Sequence, residues 1–387
     1  MRMFDVYPRH DIEFVRAEDV WVWDADDRRY LDCYGGHAVI SIGHAHPHFT
    51  QRVGAQLERL PFYSNAFANS AQEEYAALLA ACSGYPEHRL FFCNTGAEAN
   101  ENALKLASFH TGRHAVLAVR GAFHGRSSGA IAVTDNPAIR APYNDGHAVV
   151  FIPFDDIEAL RTAFARHQFA AAIIEGIQGV AGIREPADDV LRELRALCDH
   201  TGTMLILDEV QSGCARSGEY FAHHRAGIAA DLVTMGKGMG NGIPVGGVLI
   251  TPRIVAVPGM LGTTFGGGQL ACTAAIAVAE VVAAQSLAEN AAAVGAALRA
   301  ALADIPGVTA VRGRGLMLGI DTDVPARDLR AVLLETHGVI TGGAGPATVR
   351  ILPPLTFTMS HADLLVAAIR TALSEIHTST RKAVSQS

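Results

Sequence analysis

The sequence predicts an α/β protein with a mostly parallel sheet covered by helices on both faces, together with a second, smaller α+β domain. First, short apolar runs, such as "TMLILDEV" at 203–210, alternate with longer stretches of helical periodicity, such as "DDVLRELRALCDHTG" at 188–202. Second, these runs are apolar almost throughout, which is typical of strands buried on both faces. Third, the pattern changes after about Ser286. We therefore expect a large α/β domain followed by most of a smaller one.

The large domain is expected to span residues 48–285. Apolar runs interpreted as its strands lie at residues 89–94, 114–120, 170–176, 203–210, 231–236 and 245–251. The first strand is followed by a helix at 97–110, and strands separated by helices favour parallel pairing.

The smaller domain is expected to combine residues 286–378 with an N-terminal segment, 1–47. Its C-terminal part has an Ala-rich helix that ends near 304–307, two strands around 308–320, a helix, a strand at 349–355, and a last helix to about His377. The N-terminal part contains a predicted hairpin at 20–34 with its turn near 24–27. A polar tail, 379–387, is expected to be loose.

Composition narrows the class of protein. The 387 residues are 49% hydrophobic, enough for a large buried core. The formal net charge is −8, so no basic surface indicates nucleic-acid binding. Neither a membrane-spanning run nor the apolar core of a signal peptide is present, and we expect a cytoplasmic protein. The six cysteines form no CxxC pair, which argues against a zinc site or a disulfide framework.

Unusual residues follow three of the predicted strands, where open α/β sheets bind ligands. In "NTGAEANENALKLA", Gly96 and Ala97 begin a helix. Its free N–H groups either bind a phosphate or belong to an ordinary capped helix. In "AFHGRSSG", Phe123 could stack on a flat ligand and Arg126 could bind a carboxylate, or the two are an ordinary core phenylalanine and surface arginine. In "LILDEVQSG", Asp208 ends a buried strand, where a carboxylate needs a cation, a helix N–H or an ion pair.

The fourth stretch, "TMGKGMGNGIPVGG", places Lys237 among six glycines. A dinucleotide-binding fingerprint needs a helix directly after the glycines, but a strand-like run follows here. A phosphate-binding loop of the Walker type needs GK[ST], which is absent. A solvated surface lysine and a lysine kept free for covalent chemistry both remain.

A fifth stretch, "HAHPHF", contains His44, His46 and His48. Metal binding is conceivable, but no cysteine or carboxylate cluster accompanies the histidines. We interpret the stretch as a turn and expect no metal site.

Pyridoxal phosphate is a cofactor that needs all four of the other features at once. It requires a lysine for a Schiff base, an acid for its pyridine nitrogen, a stacking residue and a phosphate cup. Lys237, Asp208, Phe123 and the pair Gly96–Ala97 supply these groups, each at a predicted strand end.

Over nearly its whole length the sequence resembles the class III pyridoxal-phosphate-dependent aminotransferases. The motifs that carry the resemblance are "NTGAEANENALKLA", "FHGR", "EGIQG", "LILDEVQSG", "GKGMGNGIPVGG", "TTFGG" and "RILPPLT". Within that class it is most similar to the acetylornithine and succinylornithine aminotransferases of arginine biosynthesis. The resemblance implies the fold-type-I architecture of such transferases, with a mostly parallel seven-stranded sheet.

The resemblance also implies roles for individual residues. Lys237 would bond to the cofactor and Asp208 would keep its pyridine nitrogen protonated. Gly96 and Ala97 would cup the phosphate. The remaining implied positions are Phe123 and Val210 on the two faces of the ring, Gln211 at the ring hydroxyl, Glu175 behind the ring, Thr264 at the phosphate of the neighbouring subunit of a homodimer, and Arg126 and Arg350 as carboxylate-binding groups.

The reaction that the resemblance implies is a ping-pong transamination. The ω-amino group of an N-acylornithine would pass to 2-oxoglutarate, giving N-acylglutamate semialdehyde and glutamate. Alternatives are another ω-amine as donor (ornithine, lysine or a diamine), an aminomutase of the same class, or a protein that retains the cofactor without turnover. The intact pair of Lys237 and Asp208 argues against the last.

One position departs from the family. Many class III members have Glu-Pro-Ile-Gln-Gly-Glu where this chain has "EGIQGV", so Val180 replaces a glutamate. In members that have it, that glutamate pairs with the arginine matching Arg350 and leaves when a substrate carboxylate binds. We expect Val180 to accommodate an acyl chain while another group screens Arg350.

Overall fold

The computed structural model describes residues 1–385. Its strands, numbered in chain order, are β1 (Phe14–Glu18), β2 (Trp21–Asp24), β3 (Arg29–Asp32), β4 (Arg89–Cys93), β5 (Val116–Val119), β6 (Val149–Ile152), β7 (Ala171–Glu175), β8 (Met204–Asp208), β9 (Leu232–Met235), β10 (Gly246–Ile250), β11 (Val308–Arg314), β12 (Met317–Thr322), β13 (Val339–Ile340), β14 (Gly342–Ala344) and β15 (Thr348–Ile351). The α-helices are Pro47–Arg59, Ser70–Cys82, Gly96–Thr111, Ser128–Ala132, Ile157–Arg166, Asp188–Thr201, Gln269–Ala284, Leu287–Ala303, Ala326–Glu335 and Met359–Ser385.

The central sheet has seven strands in the order β4-β10-β9-β8-β7-β5-β6. Pairing is parallel from β9 to β6, and β10 is antiparallel to both its neighbours. The middle strands β7 and β8 are buried at every residue, which explains their continuously apolar sequences. The predicted α/β fold with a mostly parallel sheet is confirmed. Strand β6 (Val149–Ile152) was not predicted from the sequence.

Helices cover this sheet because each has one apolar face. In the helix Asp188–Thr201, for example, Val190, Leu191, Leu194 and Cys198 are buried at helical spacing. The helix Gly96–Thr111 begins where the Thr95 hydroxyl accepts a hydrogen bond from the Glu98 N–H at 3.1 Å, and it ends at the left-handed Gly112.

The N-terminal hairpin and the C-terminal region meet through strand pairing. β3 pairs in parallel with β13, so β1, β2, β3 and β13 form one four-stranded sheet. A second four-stranded sheet, in the order β11-β12-β15-β14, is antiparallel throughout. One apolar cluster, which includes Val278, Leu318 and Leu365, joins the helix Gln269–Ala284 to this region.

The last helix is longer than expected. It was predicted to end near His377 but continues to Ser385, so residues 379–385 of the predicted loose tail are helical. Residues 386–387 of that tail lie outside the described residues.

Within residues 1–385, no single helix is both long enough and apolar enough to cross a membrane. The helices Gln269–Ala284 and Leu287–Ala303 meet those criteria only as a pair, with a bend of 64° between them.

A turn between β3 and the helix Pro47–Arg59 has an unusual backbone. Gly35, Gly36, His37 and Ala38 all have positive φ, at 53°, 55°, 68° and 64°. Four such residues in succession form a left-handed helical turn, which is disfavoured for residues with a Cβ. We call Gly35–Ala38 the left-handed turn.

Candidate active site

The candidate site lies at the carboxyl ends of the central strands. Glu175 ends β7 and Asp208 ends β8, and the two residues are direct neighbours in the parallel pairing. Lys237 follows β9 after a single glycine, in a short 3-10 turn. The sheet therefore brings together two acids and a lysine from three separate stretches of sequence.

Asp208 is 4% exposed and its carboxylate is fully engaged. Oδ2 accepts hydrogen bonds from Asn100 Nδ2 and His124 Nδ1, both at 2.7 Å. Oδ1 accepts one from the Val210 N–H at 3.0 Å. Because three donors fix its orientation, this buried carboxylate has a single well-defined position.

The partners of Asp208 are themselves held in place. Asn100 Oδ1 accepts a hydrogen bond from the Thr234 hydroxyl at 2.7 Å, and its amide also donates to the His124 carbonyl. His124 is 2% exposed, and its Nε2 has no hydrogen-bond partner in the described residues. Sequence reasoning gave Asn100, Thr234 and His124 no role. A sequence signal for Asn100 is its helical spacing from Ala103 and Ala107, which puts a polar residue on the apolar face of the helix.

Lys237 has the properties of an amine available for reaction. Burial lowers the pKa of its ammonium group below the usual value, and the positive charge of Arg350 adds to that shift. Asp208 and Glu175 oppose it without cancelling it. The backbone of Lys237 is left-handed, with φ 44°, a rare conformation for a residue with a side chain. Strain of this kind is often found at functional sites.

The start of the helix Gly96–Thr111 forms a cup beside Val210. A Cβ on Gly96 would lie 2.4 Å from Val210 Cγ1, so only glycine allows this approach. Gly125 gives similar room to Ala97, whose Cβ would lie 2.8 Å from an added one. The Thr95 hydroxyl accepts a hydrogen bond from the Glu98 N–H. The N–H groups of Gly96 and Ala97 lie in the first turn, where the helix itself offers them no acceptor. Free N–H groups at the start of a helix are a common binding site for anions.

Glu175 holds two loops of the site together. Its Oε1 accepts a hydrogen bond from the Phe123 N–H and its Oε2 one from the Gly179 N–H, both at 3.0 Å. Burial, together with nearby Asp208, raises the pKa of the carboxyl to about 7, although His124 and the two backbone N–H donors oppose the shift. Glu175 thus sets the positions of Phe123 and the segment that leads to Val180.

Gln211 bridges the large domain to the left-handed turn. Its amide donates to the His37 carbonyl at 3.2 Å. Its Oε1 occupies the place where a Cβ on Gly179 would be, 1.7 Å away. Any other residue at position 179 would therefore require the Gln211 side chain to move.

Arg350 on β15 is 6% exposed. Its guanidinium donates to the Gly343 carbonyl at 2.9 Å, the Gly179 carbonyl at 3.3 Å and the Tyr34 hydroxyl at 2.8 Å. None of these partners is a carboxylate. Burial lowers the pKa of the arginine. Tyr34 is a contact of the site that sequence reasoning missed, since it is 316 residues away along the chain.

Three predicted site residues are not gathered into this cluster. Arg126 and Thr264 are exposed, and Val180 is 45% exposed. In the part of the chain that the structure describes, none of their side chains makes a hydrogen bond or ion pair with the residues above. Val180 is nevertheless adjacent to Gly179, whose carbonyl contacts Arg350.

The three histidines of "HAHPHF" have ordinary partners. His44 pairs with Asp32 at 2.9 Å, His48 with Glu280 at 2.6 Å, and His46 with Gln285 at 3.0 Å. Each histidine thus has a polar neighbour of its own.

Comparison with known proteins identifies the family. The model of the family described as "Aminotransferase class-III" matches residues 6–373. This chain is a class-III aminotransferase. The match contains every residue of the site, so the enzyme catalyses transamination.

Relatives of this class-III aminotransferase share most of its length. Acetylornithine aminotransferase 1 of Bordetella bronchiseptica is 38% identical over 376 residues, which are 94% of this chain and 95% of that protein. The solved structure of acetylornithine aminotransferase from Elizabethkingia anophelis has a TM-score of 0.83 at 29% identity, and covers 96% of this chain and 95% of that one.

The ornithine aminotransferase of Toxoplasma gondii is a further structural relative of this class-III aminotransferase. One of its structures, described as having partial occupancy of pyridoxal phosphate at the active site, gives a TM-score of 0.92 at 26% identity. The likeness covers 98% of this chain and 93% of that one. The family and this neighbour together imply pyridoxal phosphate as the cofactor.

Proposed function

We propose that this enzyme uses pyridoxal 5'-phosphate to transfer the ω-amino group of an N-acylornithine, acetyl or succinyl, to 2-oxoglutarate. The products are N-acylglutamate semialdehyde and glutamate. The observation that carries the proposal is that relatives 35–38% identical over at least 94% of this chain are named acetylornithine aminotransferases.

The site fits the cofactor. The free N–H groups of Gly96 and Ala97 would hold the phosphate, and no side chain at Gly96 obstructs it. Asp208, oriented by three donors, would hold a proton on the pyridine nitrogen. Phe123 and Val210 would lie on opposite faces of the ring. Gln211 would reach the ring hydroxyl, and Thr264 of a second copy would reach the phosphate.

Pyridoxal phosphate, when bound, supplies a carbonyl that bonds reversibly to primary amines and a ring that accepts electrons. The protein supplies the proton transfers. Because burial lowers its pKa, the Lys237 amine spends more time neutral, and a neutral amine can take a proton from the reacting carbon of the substrate. The same amine would hold that proton and donate it back when the amino group is transferred. Asp208 would keep the ring nitrogen of the bound cofactor protonated.

The two half-reactions balance through the amino group. The donor gives up its amine and takes the oxygen of water, leaving as an aldehyde. 2-Oxoglutarate then takes the amine, releases its keto oxygen as water, and leaves as glutamate. The enzyme returns to its starting state, which is the basis of ping-pong kinetics.

The arginines are assigned to the carboxylates of the substrates. 2-Oxoglutarate has a carboxylate next to its reacting carbon, whereas the reacting carbon of N-acylornithine is a CH2 with no acid beside it. We assign the carboxylate next to the reacting carbon to Arg350, and the distant carboxylate of the donor to Arg126. Val180 offers an exposed apolar side chain to the acyl group.

Free ornithine is the second candidate donor, because the Toxoplasma gondii relative with the TM-score of 0.92 is named ornithine aminotransferase. Lysine, other diamines and an aminomutase reaction are more distant alternatives.

The test is a panel assay of the cofactor-loaded enzyme. Acetylornithine, succinylornithine, ornithine, lysine and a diamine are each supplied with 2-oxoglutarate, and glutamate formation is followed. We expect kcat/KM for one of the N-acylornithines to exceed that for ornithine at least tenfold, about 1.4 kcal/mol of transition-state binding. Equal or better use of ornithine would transfer the assignment to the second candidate. No glutamate from any donor would refute the aminotransfer to 2-oxoglutarate.

A further inference from the structure

Arg350 has one hydrogen-bond partner that is able to leave. Two of its three acceptors, the carbonyls of Gly179 and Gly343, belong to the backbone. The third is the hydroxyl of Tyr34, at 2.8 Å from Nη2. A side chain can change rotamer while the backbone stays in place. A ligand that takes the Nη2 N–H now bonded to Tyr34 would therefore compete with the Tyr34 hydroxyl.

The proton arrangement around Tyr34 follows from its partners. A guanidinium only donates, so the Tyr34 oxygen accepts from Arg350. The hydroxyl proton is then available for His37, whose Nδ1 lies 2.6 Å from the Tyr34 oxygen. For Nδ1 to accept, His37 must be neutral with its proton on Nε2. The result is a directed chain from Arg350 through Tyr34 to His37.

The electrostatics agree with this arrangement. The pKa of His37 is lowered by burial and by the positive charges of Arg350 and Lys237, which favours the neutral imidazole. The guanidinium of Arg350 also lies over the Tyr34 ring, 5.5 Å from its centroid.

The position of the Tyr34 ring depends on a glycine. A Cβ on Gly342 would lie 2.0 Å from Cε2 of Tyr34 and 2.8 Å from its Cζ, so the ring occupies the space that any other residue would fill. On the other side, the backbone N–H of Tyr34 is tied to Asp32 Oδ1 at 3.0 Å. The left-handed turn then brings His37 back onto the hydroxyl.

We propose that the Tyr34 hydroxyl, supported by His37, is a removable cover on Arg350, which the carboxylate of the acceptor substrate displaces when it binds. The inference rests on the proposed function, in which Arg350 receives the carboxylate of 2-oxoglutarate. Tyr34 would thus take the role towards Arg350 that a carboxylate at position 180 has in other members of the family. It lets Arg350 remain satisfied while a donor with no acid beside its reacting carbon occupies the site. Tyr34 and His37 are thus specificity-determining residues for the two substrates of one site.

The first experiment measures binding without turnover. Glutarate, a dicarboxylate with neither an amino nor a keto group, is titrated calorimetrically into the cofactor-loaded wild type and into Tyr34→Phe. Because the substitution removes the competing hydroxyl, we expect the Kd for glutarate to fall about three- to tenfold, the range of one ordinary net hydrogen bond. The exposed Tyr143→Phe is the matched control and should leave the Kd unchanged. An unchanged or higher Kd in Tyr34→Phe overturns the proposal.

A second variant tests displacement of the ring with the hydroxyl retained. Gly342→Ala places a Cβ where the Tyr34 ring now lies, and should lower the Kd for glutarate in the same direction as Tyr34→Phe. In steady-state kinetics, the KM for 2-oxoglutarate should fall in both variants relative to the KM for the N-acylornithine. Circular dichroism checks that Gly342→Ala is folded. If the folded variant binds glutarate no better than wild type, Tyr34 is not a removable cover.

The outcomes separate this inference from the proposed function. If wild type uses no N-acylornithine but binds glutarate, and Tyr34→Phe binds it more tightly, the donor assignment fails and the cover stands. If wild type transaminates N-acylornithine with 2-oxoglutarate and Tyr34→Phe leaves the Kd unchanged, the cover fails alone.

Discussion

Lys237 is the residue on which the proposed chemistry depends most. Its surroundings explain the glycines of its loop: a Cβ on Gly236 would lie 3.2 Å from the Gly96 nitrogen, and one on Gly240 would lie 2.1 Å from the Ile243 carbonyl oxygen. The glycines let the backbone pack closely around Lys237, and this burial lowers the pKa of the lysine. A solvated surface lysine would show neither property.

Replacing Lys237 with alanine should abolish the visible absorption band of the lysine-bound cofactor and reduce kcat by several orders of magnitude, because nucleophile and proton carrier are lost together. Absorption spectra and single-turnover rates measure the two effects. The exposed Lys105→Ala serves as control. Turnover within tenfold of wild type in Lys237→Ala would remove the residue from the mechanism.

Glu175 should make stability depend on pH. Its pKa is raised from 4.5 to about 7, so the folded protein holds a proton that the unfolded chain releases between these values. The free energy of unfolding should therefore fall as pH rises from about 4.5 to about 7. Glu175→Gln has no such proton and should show a flatter Tm profile in that window. The exposed Glu58→Gln should follow wild type. Parallel Tm profiles for wild type and Glu175→Gln would show that Glu175 does not titrate there.

Val180→Glu should place a carboxylate beside Arg350, because the neighbouring Gly179 carbonyl already contacts its guanidinium at 3.3 Å. An arginine–carboxylate contact of roughly 1.5–3 kcal/mol would compete with the substrate. We expect the KM for 2-oxoglutarate to rise about ten- to a hundredfold, and use of free ornithine to improve relative to N-acylornithines.

The exposed Val6→Glu controls for added charge in this experiment. The deciding measurement is kcat/KM for acetylornithine, succinylornithine, ornithine and 2-oxoglutarate in both forms. If kcat/KM for all four compounds is the same in both forms, Val180 lies outside the substrate pocket.

At the residue scale, the sequence identified groups that occur in local motifs. Asp208 and Lys237 follow strands, and their neighbours in the sequence define their positions. It could not identify contacts made across the fold. The bonds from Asn100 to Asp208 and from Arg350 to Tyr34 join residues 108 and 316 positions apart, and no local pattern encodes them.

At the scale of elements, the left-handed turn should be sensitive to a single methyl group. A Cβ on Gly36 meets nothing within 4 Å, so Gly36→Ala measures only the cost of holding a residue with a Cβ at a φ of 55°. Gly112, with φ 68° and equally open surroundings, lies at the end of the helix Gly96–Thr111 and gives a matched control. Each substitution should cost about 1–2 kcal/mol of unfolding free energy.

The two glycine variants should differ at the site. Gly36→Ala should also alter the KM for 2-oxoglutarate, because His37 and Tyr34 are positioned by the turn, whereas Gly112→Ala should leave it unchanged. Denaturant unfolding and steady-state kinetics supply the two readouts. If Gly36→Ala loses stability but keeps its KM, the turn is a structural feature without a role in substrate binding.

The elements that were missed have physical explanations. β6 is four residues long and only Ile152 is fully buried, so its apolar signal is weak beside those of β7 and β8. The predicted end of the last helix near His377 was too early. The polar sequence after His377 is typical of a loose tail, but a polar sequence can also continue a helix that begins in the core. The left-handed turn has no sequence signature beyond its two glycines.

For the whole molecule, the proposed homodimer predicts that assembly and cofactor retention are linked. Thr264 is exposed in the single chain, and its proposed contact is the phosphate held by a second copy. Thr264→Val should weaken cofactor retention and dimer stability together, because a ligand spanning an interface stabilises both. Sedimentation with and without cofactor measures the effect, and the exposed Thr378→Val is the control. A fully active monomer at high dilution would contradict the arrangement.

The order of strands in the central sheet determines when a newly made chain can fold. β4 lies at the edge, and its strand neighbour is β10, which is synthesised last of the seven. A ribosome adding roughly 5–20 residues per second needs on the order of 10–30 s to advance from β4 to β10. During that interval β4 and the helix start behind it have no place in the sheet. The start of the helix Gly96–Thr111 can therefore reach its final position only after β10 has been made, and we expect a nascent chain to take up no cofactor before then.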